Sequence, residues 1–259
     1  SGDTEKQTII IKSPKTNDVE LLLKTFVEDP VIATKFQQPT QTDNTENSGL
    51  FSVAEHILKT FFNKTNLVFC NRKKDVETLA DILTNLCKRK KLQNEFMVHH
   101  GSLSKQFRED VEDELKSGRP CTAICSSTLE LGIDVGDIDS IGQVGPPHSV
   151  SALKQRIGRS GRRENKPSRL FMYVPVVKCT EKSSLPDQLY PELIQAIALV
   201  ELMGKDGKDG WIEPPENCIE DYSTLIQQIL SLIVERGGID AKEMYRLLCS
   251  EKTFGDISV

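Results

Sequence analysis

CTAICSSTLELGIDVGDIDSIGQVGPPHSVSALKQRIGRSGRR, residues 121–163, is the stretch that decides the fold. Thr122 to Ser126 reads as a strand, Ser140 to Val144 as a second, and Val150 to Ser160 as a helix. Polar, Gly-rich or basic residues follow each of these segments directly. The same alternation continues outward. Asn66 to Cys70 (NLVFC) and Phe96 to His99 are predicted strands. A helix is predicted from about Lys74 to Lys88, with Val76, Leu79, Ala80, Leu83 and Leu86 on one face. Another runs from Ser104 to Lys116, stopped by Gly118 and Pro120, and Arg169 to Val174 is a further strand. Short apolar strands taking turns with helices predict an α/β fold, a parallel sheet covered by helices on both faces.

The ends read differently. Residues 8–12 (TIIIK) are a predicted strand. Asn17 to Glu28 is expected to be a helix, from the spacing of Val19, Leu22, Leu23 and Phe26. Residues 35–49 are polar and are expected to form a flexible surface loop. Ser52 and Glu55 form a capping box that would open a helix to about Phe62. Beyond Pro175 the segments are helical: Pro191 to Met203, Tyr222 to Glu235 and Ala241 to Cys249. Gly237-Gly238 makes a sharp turn between the last two, suggesting a helix-turn-helix or winged-helix piece, with a plain helical cap as the alternative. Two domains are expected, 1–178 and 179–259.

Composition bounds the function. The 259 residues are 37% hydrophobic and 27% charged, enough for a core and incompatible with a fully disordered chain. No apolar run is long enough to span a bilayer, so no membrane partner is expected. Seven cysteines without a C-x-x-C pair argue against a disulfide framework and for a reducing, cytoplasmic setting. Ser1-Gly2 without Met looks like the scar of a cleaved tag, and a piece of a longer polypeptide is expected. The net charge of −5 hides an asymmetry. Residues 1–180 carry 26 basic against 23 acidic side chains, and residues 181–259 carry 7 against 15. Ser149 to Arg169 alone holds seven basic residues and one acidic one, a patch suited to phosphates.

Four motifs carry the chemistry, each at the carboxyl end of a predicted strand, where open α/β sheets bind ligands. QRIGRSGRR (155–163) sets arginines around a Gly-rich turn, and their forked donors match phosphate oxygens. A solvated basic turn gripping nucleic acid is the plainer reading. SSTLELGID (126–134) offers hydroxyls and backbone N–H groups as a phosphate ledge, with Gly132 permitting close approach and Asp134 placed for a ribose hydroxyl; a simple strand-to-helix cap is the alternative. HHGSLS (99–104) presents Gly101 and Ser102 at a helix start. Its two histidines are adjacent on a strand and point to opposite faces, so no metal site is expected. FCNRKK (69–74) leads from a strand into basic residues, or is a solvated helix start.

In this order the motifs resemble the second RecA-like lobe of superfamily 2 helicases, and within them the Lhr (large helicase-related) family. The resemblance rests on HHGSLS…LKSG (99–118), SSTLELGIDVGDID (126–139), QVGPPHSVSALKQRIGRSGRR (143–163) and IEPPENCIEDYSTLIQQILSLIVERGGIDAKEMYRLL (212–248), and covers most of residues 64–259. It implies arginine fingers at Arg159 and Arg162, a γ-phosphate or water contact at Gln155, and nucleotide contacts at Gly132 and Asp134. It also implies strand-gripping roles for Arg72, Gly101, Ser102, Arg108, Ser126 and Ser127. Many Lhr proteins carry His where this chain has Arg162, which follows the wider superfamily. The implied cofactors are ATP and Mg2+, held mainly by a first RecA-like lobe, because the chain has neither a G-x-x-x-x-G-K-[ST] loop nor an Asp-Glu metal motif at a strand end. The implied partners are that first lobe and single-stranded DNA, with RNA or a DNA–RNA hybrid as the alternative strand. DNA repair is the implied setting. An adaptor that binds nucleic acid on a motor-like fold is the competing function.

Overall fold

The computed structural model describes residues 19–28, 48–130, 135–161, 167–180, 183–204, 210–214 and 222–249. Among the described residues six strands form one parallel sheet: β1 (Val19–Glu28), β2 (Thr65–Cys70), β3 (Phe96–His99), β4 (Cys121–Cys125), β5 (Ser140–Val144) and β6 (Ser168–Val177). Their spatial order is β1-β6-β5-β2-β4-β3, with every pairing parallel. All carboxyl ends therefore lie on one edge.

Alternation along the strands feeds two cores. Leu67 and Phe69 of β2 point to one face, where helices α3 (Lys105–Lys116), α4 (Val150–Ile157) and α6 (Pro191–Met203) contribute Val111, Leu115, Val150, Leu153, Ala196 and Leu199. Val68 and Cys70 point to the other, beneath α1 (Ser48–Phe61) and α2 (Lys73–Lys90). Val76, Leu79, Ala80, Leu83 and Leu86, the expected face of α2, are all buried. Full burial of side chains such as Ile57 and Phe61 contributes roughly 1.5–3 kcal/mol each.

Three expectations need correction. Residues 19–28 form a strand, not a helix. Val19, Leu21 and Leu23 pack together toward one core, and ten residues pair in register with β6, from Val19↔Ser168 to Glu28↔Val177. That pairing overrides the local helical spacing. Helix α1 begins at Ser48, so Ser52 and Glu55 lie inside it and do not open it, and Ser48 and Gly49 are helical and not loop. The rest of the expected loop, 35–47, and the expected strand at 8–12 lie outside the described residues.

Packing divides the chain between Glu213 and Pro214. Helix α6, expected to belong with the C-terminal helices beyond 178, instead shares the core under the sheet through Ala196, Leu199 and Met203. The short helix α5 (Leu185–Leu189) precedes it. The second unit holds α7 (Tyr222–Arg236) and α8 (Ala241–Leu248). Gly237 and Gly238, both at positive φ, turn the chain between them. Asp240 caps α8, accepting from the N–H groups of Lys242 and Glu243 at 2.9 and 3.3 Å. No helix among the described residues is long and apolar enough to cross a membrane.

Candidate nucleic-acid and nucleotide interface

The parallel sheet brings the loops after β2, β3, β4 and β5 to one edge. After β2, the Asn71 side chain donates to the Pro146 carbonyl at 2.7 Å, joining the loops after β2 and β5. Arg72 stands exposed at the start of α2, its Nε on Asp75 at 2.9 Å. After β3, Gly101 and Ser102 are exposed, and Ser104 caps α3 by accepting the Phe107 N–H at 3.4 Å. One turn into α3, Arg108 is half-buried, and its buried Nε has no partner among the described residues.

The two histidines serve separate partners. Buried His99 sets Nδ1 2.8 Å from Thr128 Oγ1 and Nε2 3.2 Å from Glu112. Burial lowers its pKa below the ordinary value, and the hydrogen bond to Glu112 opposes this. His100 places Nε2 3.2 Å from Glu77 of α2. Among the described residues no cluster of three or more His, Cys, Asp or Glu could hold a metal ion.

After β4, the Ser126 N–H donates to the His99 carbonyl at 3.4 Å, and a 3-10 turn follows at Ser127–Leu129. Ser126 is half-buried and Ser127 exposed, so the loops after β3 and β4 form a continuous ledge. After β5, the start of α4 is capped twice. Ser149 Oγ accepts from the Ala152 N–H at 3.0 Å, and the Glu213 carboxylate accepts from the Val150 and Ser151 N–H groups at 2.7 and 2.9 Å. Desolvation pushes the Glu213 pKa up, but these N–H donors outweigh it and hold the pKa below the usual carboxylate value.

At the other end of α4, Gln155 is exposed and Arg159 half-buried. Arg159 directs Nε and Nη2 to one atom, the Glu130 carbonyl oxygen, at 3.1 and 2.7 Å. Gly132, Asp134 and Arg162 lie outside the described residues.

The residue that sequence reasoning passed over is Arg156. Its side chain is only 7% exposed and pairs with Glu130, 12% exposed, through Nε at 3.1 Å and Nη2 at 2.9 Å. Nη1 donates to Gln143 Oε1, and the guanidinium carbon sits 5.0 Å from the Phe69 ring centroid. An ion pair this deep persists because all three guanidinium nitrogens have partners. Within QRIGRSGRR, then, Arg156 is buried structure and Arg159 faces the ledge. The available signal was Glu130, an acid between Leu129 and Leu131.

A six-stranded parallel sheet, helices on both faces and this motif-bearing edge define a RecA-like α/β lobe of the helicase C-terminal type. The model of the helicase conserved C-terminal domain matches residues 50–164. The ATP-dependent helicase Lhr-Core of Methanocaldococcus jannaschii is 32% identical over 218 residues, covering 81% of this chain and 23% of that protein. Lhr-Core of Methanothermobacter thermautotrophicus is 28% identical over 239 residues, 91% of this chain and 24% of that one. The structure of Mycobacterium smegmatis helicase Lhr bound to ssDNA and AMP-PNP shares the fold, with a TM-score of 0.63 at 24% identity, over 90% of this chain and 27% of that chain. In sequence the chain is similar to the C-terminal lobe of the Lhr helicases. It spans about a quarter of the length of these relatives.

Proposed function

We propose that this chain is the second motor lobe of an ATP-dependent DNA helicase or translocase, and that it grips one strand along the ledge while lending arginines to a nucleotide site completed by a first lobe. The observation that carries this reading is Arg159, held by the carbonyl of Glu130, whose N–H in turn donates to the Ser127 carbonyl of the ledge. Arg72, Gly101, Ser102, Arg108, Ser126 and Ser127 would meet the strand's phosphates and sugars, a grip weakened by salt.

Toward the nucleotide, Arg159, Arg162, Gln155, Gly132 and Asp134 are the residues assigned. A guanidinium fork suits phosphate oxygens, and an arginine that stabilises charge developing during phosphoryl transfer is worth ~10³–10⁵ in rate. ATP supplies the driving energy when bound, and Mg2+ belongs mainly with the first lobe. The C-terminal unit, with α7 and α8, is assigned as the start of a winged helix. The proposed strand is single-stranded DNA; backbone contacts suit RNA as well, and competition between matched DNA and RNA strands decides between them.

The test has two arms. The purified chain is expected to show no ATP turnover, and robust turnover would overturn the half-site reading. In a helicase carrying both lobes, Arg159→Ala is expected to abolish hydrolysis while ATP binding is largely kept. Binding lost together with turnover would count against a finger role and leave Arg159 as a simple ligand contact.

A further inference from the structure

We propose that Glu130 is a positioning residue that locks the arginine-bearing turn to the strand-gripping ledge, so that its loss disconnects strand binding from turnover. This deepens the motor-lobe reading and rests on it. Glu130 holds two arginines through two different groups. Its carboxylate Oε2 accepts from Arg156 Nε and Nη2 at 3.1 and 2.9 Å. Its backbone carbonyl accepts from Arg159 Nε and Nη2 at 3.1 and 2.7 Å. A single contact between two segments leaves a pivot. Two contacts, to residues on either side of Gly158, set an orientation.

One of the two anchors is buried. Arg156 is fixed by Gln143 of β5 and lies against Phe69 of β2, so its guanidinium belongs to the floor of the sheet. The Arg156 pair pins the Glu130 side chain, and with it the carbonyl that receives Arg159. The other end of Glu130 is tied to the ledge, because its N–H donates to the Ser127 carbonyl at 3.0 Å. A displacement of Ser126 and Ser127 on gripping a strand is thus delivered three residues later to the partner of Arg159. Arginine is suited to this role at both positions, since its planar fork loses little freedom per hydrogen bond formed. Misplacement of a reacting group by about 1 Å can cost on the order of 10²-fold in rate, so a loose Glu130 carbonyl would be felt in turnover more than in binding.

Two variants keep the test open. Glu130→Ala leaves the Arg156 charge buried without its carboxylate and can fail to fold. Glu130→Gln combined with Arg156→Met removes both charges at similar volume and is expected to fold, with a native circular dichroism spectrum. The first readout uses the chain alone: exchange of the Arg159 Nε–H with water, followed in ¹H–¹⁵N spectra. It is expected to quicken about tenfold or more in the double variant, because the acceptor is no longer held. The second uses a helicase with both lobes. Single-stranded DNA stimulation of ATP turnover is expected to fall about tenfold or more, with KM for ATP and Kd for the strand within about threefold. Unchanged Nε–H exchange overturns the proposal, whatever happens to turnover. Faster exchange with intact stimulation overturns it too, because the contact would then hold nothing that matters. Arg159→Ala, assayed beside them, keeps the two ideas apart. Turnover surviving in that variant sinks the finger assignment itself, whereas turnover lost there but kept in the Glu130 variants sinks only the positioning role.

Discussion

Gly161 closes the arginine-bearing turn, and replacing it with alanine should be among the costlier single-methyl changes in the chain. Its φ is +68°, a left-handed conformation that costs an L side chain roughly 1–2 kcal/mol. A Cβ there would stand 2.8 Å from the Ser168 backbone N and 2.9 Å from Ser168 Cα, and would collide with Ser168 Oγ. Ser168 cannot withdraw easily. It opens β6 in register with Val19, and its hydroxyl donates to the Ser160 carbonyl at 3.0 Å. Overpacking of this kind costs about 1–3 kcal/mol. Fewer unfolded conformations return about 0.4–1 kcal/mol. The net expectation for Gly161→Ala is a loss of about 1–5 kcal/mol. Gly118 provides the comparison: its φ is +76°, but nothing lies within 4 Å of a Cβ, so Gly118→Ala should cost only about 1 kcal/mol from strain. Urea unfolding followed by circular dichroism at 222 nm gives both values. Adding Ser168→Gly to Gly161→Ala should recover less than half of the loss, because the two backbone contacts remain. Equal losses for the two glycines, or full recovery with Ser168→Gly, would refute the backbone-clash reasoning.

Other outcomes follow from the buried groups. Arg156→Met alone strands the Glu130 carboxylate and should cost about 3–5 kcal/mol in urea unfolding, whereas adding Glu130→Gln should recover much of it; equal losses would show that the pair is not the source. Burial lowers the pKa of both His56 and His99, so the unfolded chain binds more protons as pH falls past the free-histidine value near 6.5. Stability should therefore decline from pH 7 to 5.5, and His56→Gln with His99→Gln should flatten that slope; an unchanged slope would assign the decline to other groups. Cys179 is exposed, whereas burial pushes the Cys121 thiol up to about 12 and those of Cys70 and Cys125 up as well. In a Cys218→Ser background, a thiol reagent should label Cys179 rapidly and these three only on unfolding; rapid labelling of Cys121 would contradict its burial in β4.

What the sequence could and could not disclose follows from the range of each interaction. Strands β2 to β6 and helices α2, α3, α4 and α6 were legible because each carries its own pattern: apolar residues at period two or 3.6, closed off by Gly, Pro or a hydroxyl cap. Residues 19–28 satisfy both patterns at once, since Val19, Leu22, Leu23 and Phe26 fit a helix while Val19, Leu21 and Leu23 fit a strand. The tie is broken by β6, 149 residues away, to which Arg169 and Glu20 also form an ion pair at 2.7 Å. No local window contains that information. The place of α6 was hidden for the same reason. Ala196, Leu199 and Met203 announce an apolar face, but not which surface receives it.

The candidate site divides along the same line. That phosphate-seeking residues stand at strand ends was readable, because parallel order and strand polarity put all such ends on one edge. Which arginine of QRIGRSGRR the fold buries was not. Arg156 and Arg159 are chemically identical and three residues apart at the end of α4, so their types alone do not separate them. Their separation is made by Glu130, which neutralises one with its carboxylate and orients the other with its carbonyl. A basic motif therefore overstates the charge it offers to a ligand: of the seven positive residues between Ser149 and Arg169, Arg156 is consumed by the fold. The same accounting gives Glu130 more weight than its single negative charge suggests, since it holds Arg156 with its carboxylate and Arg159 with its carbonyl.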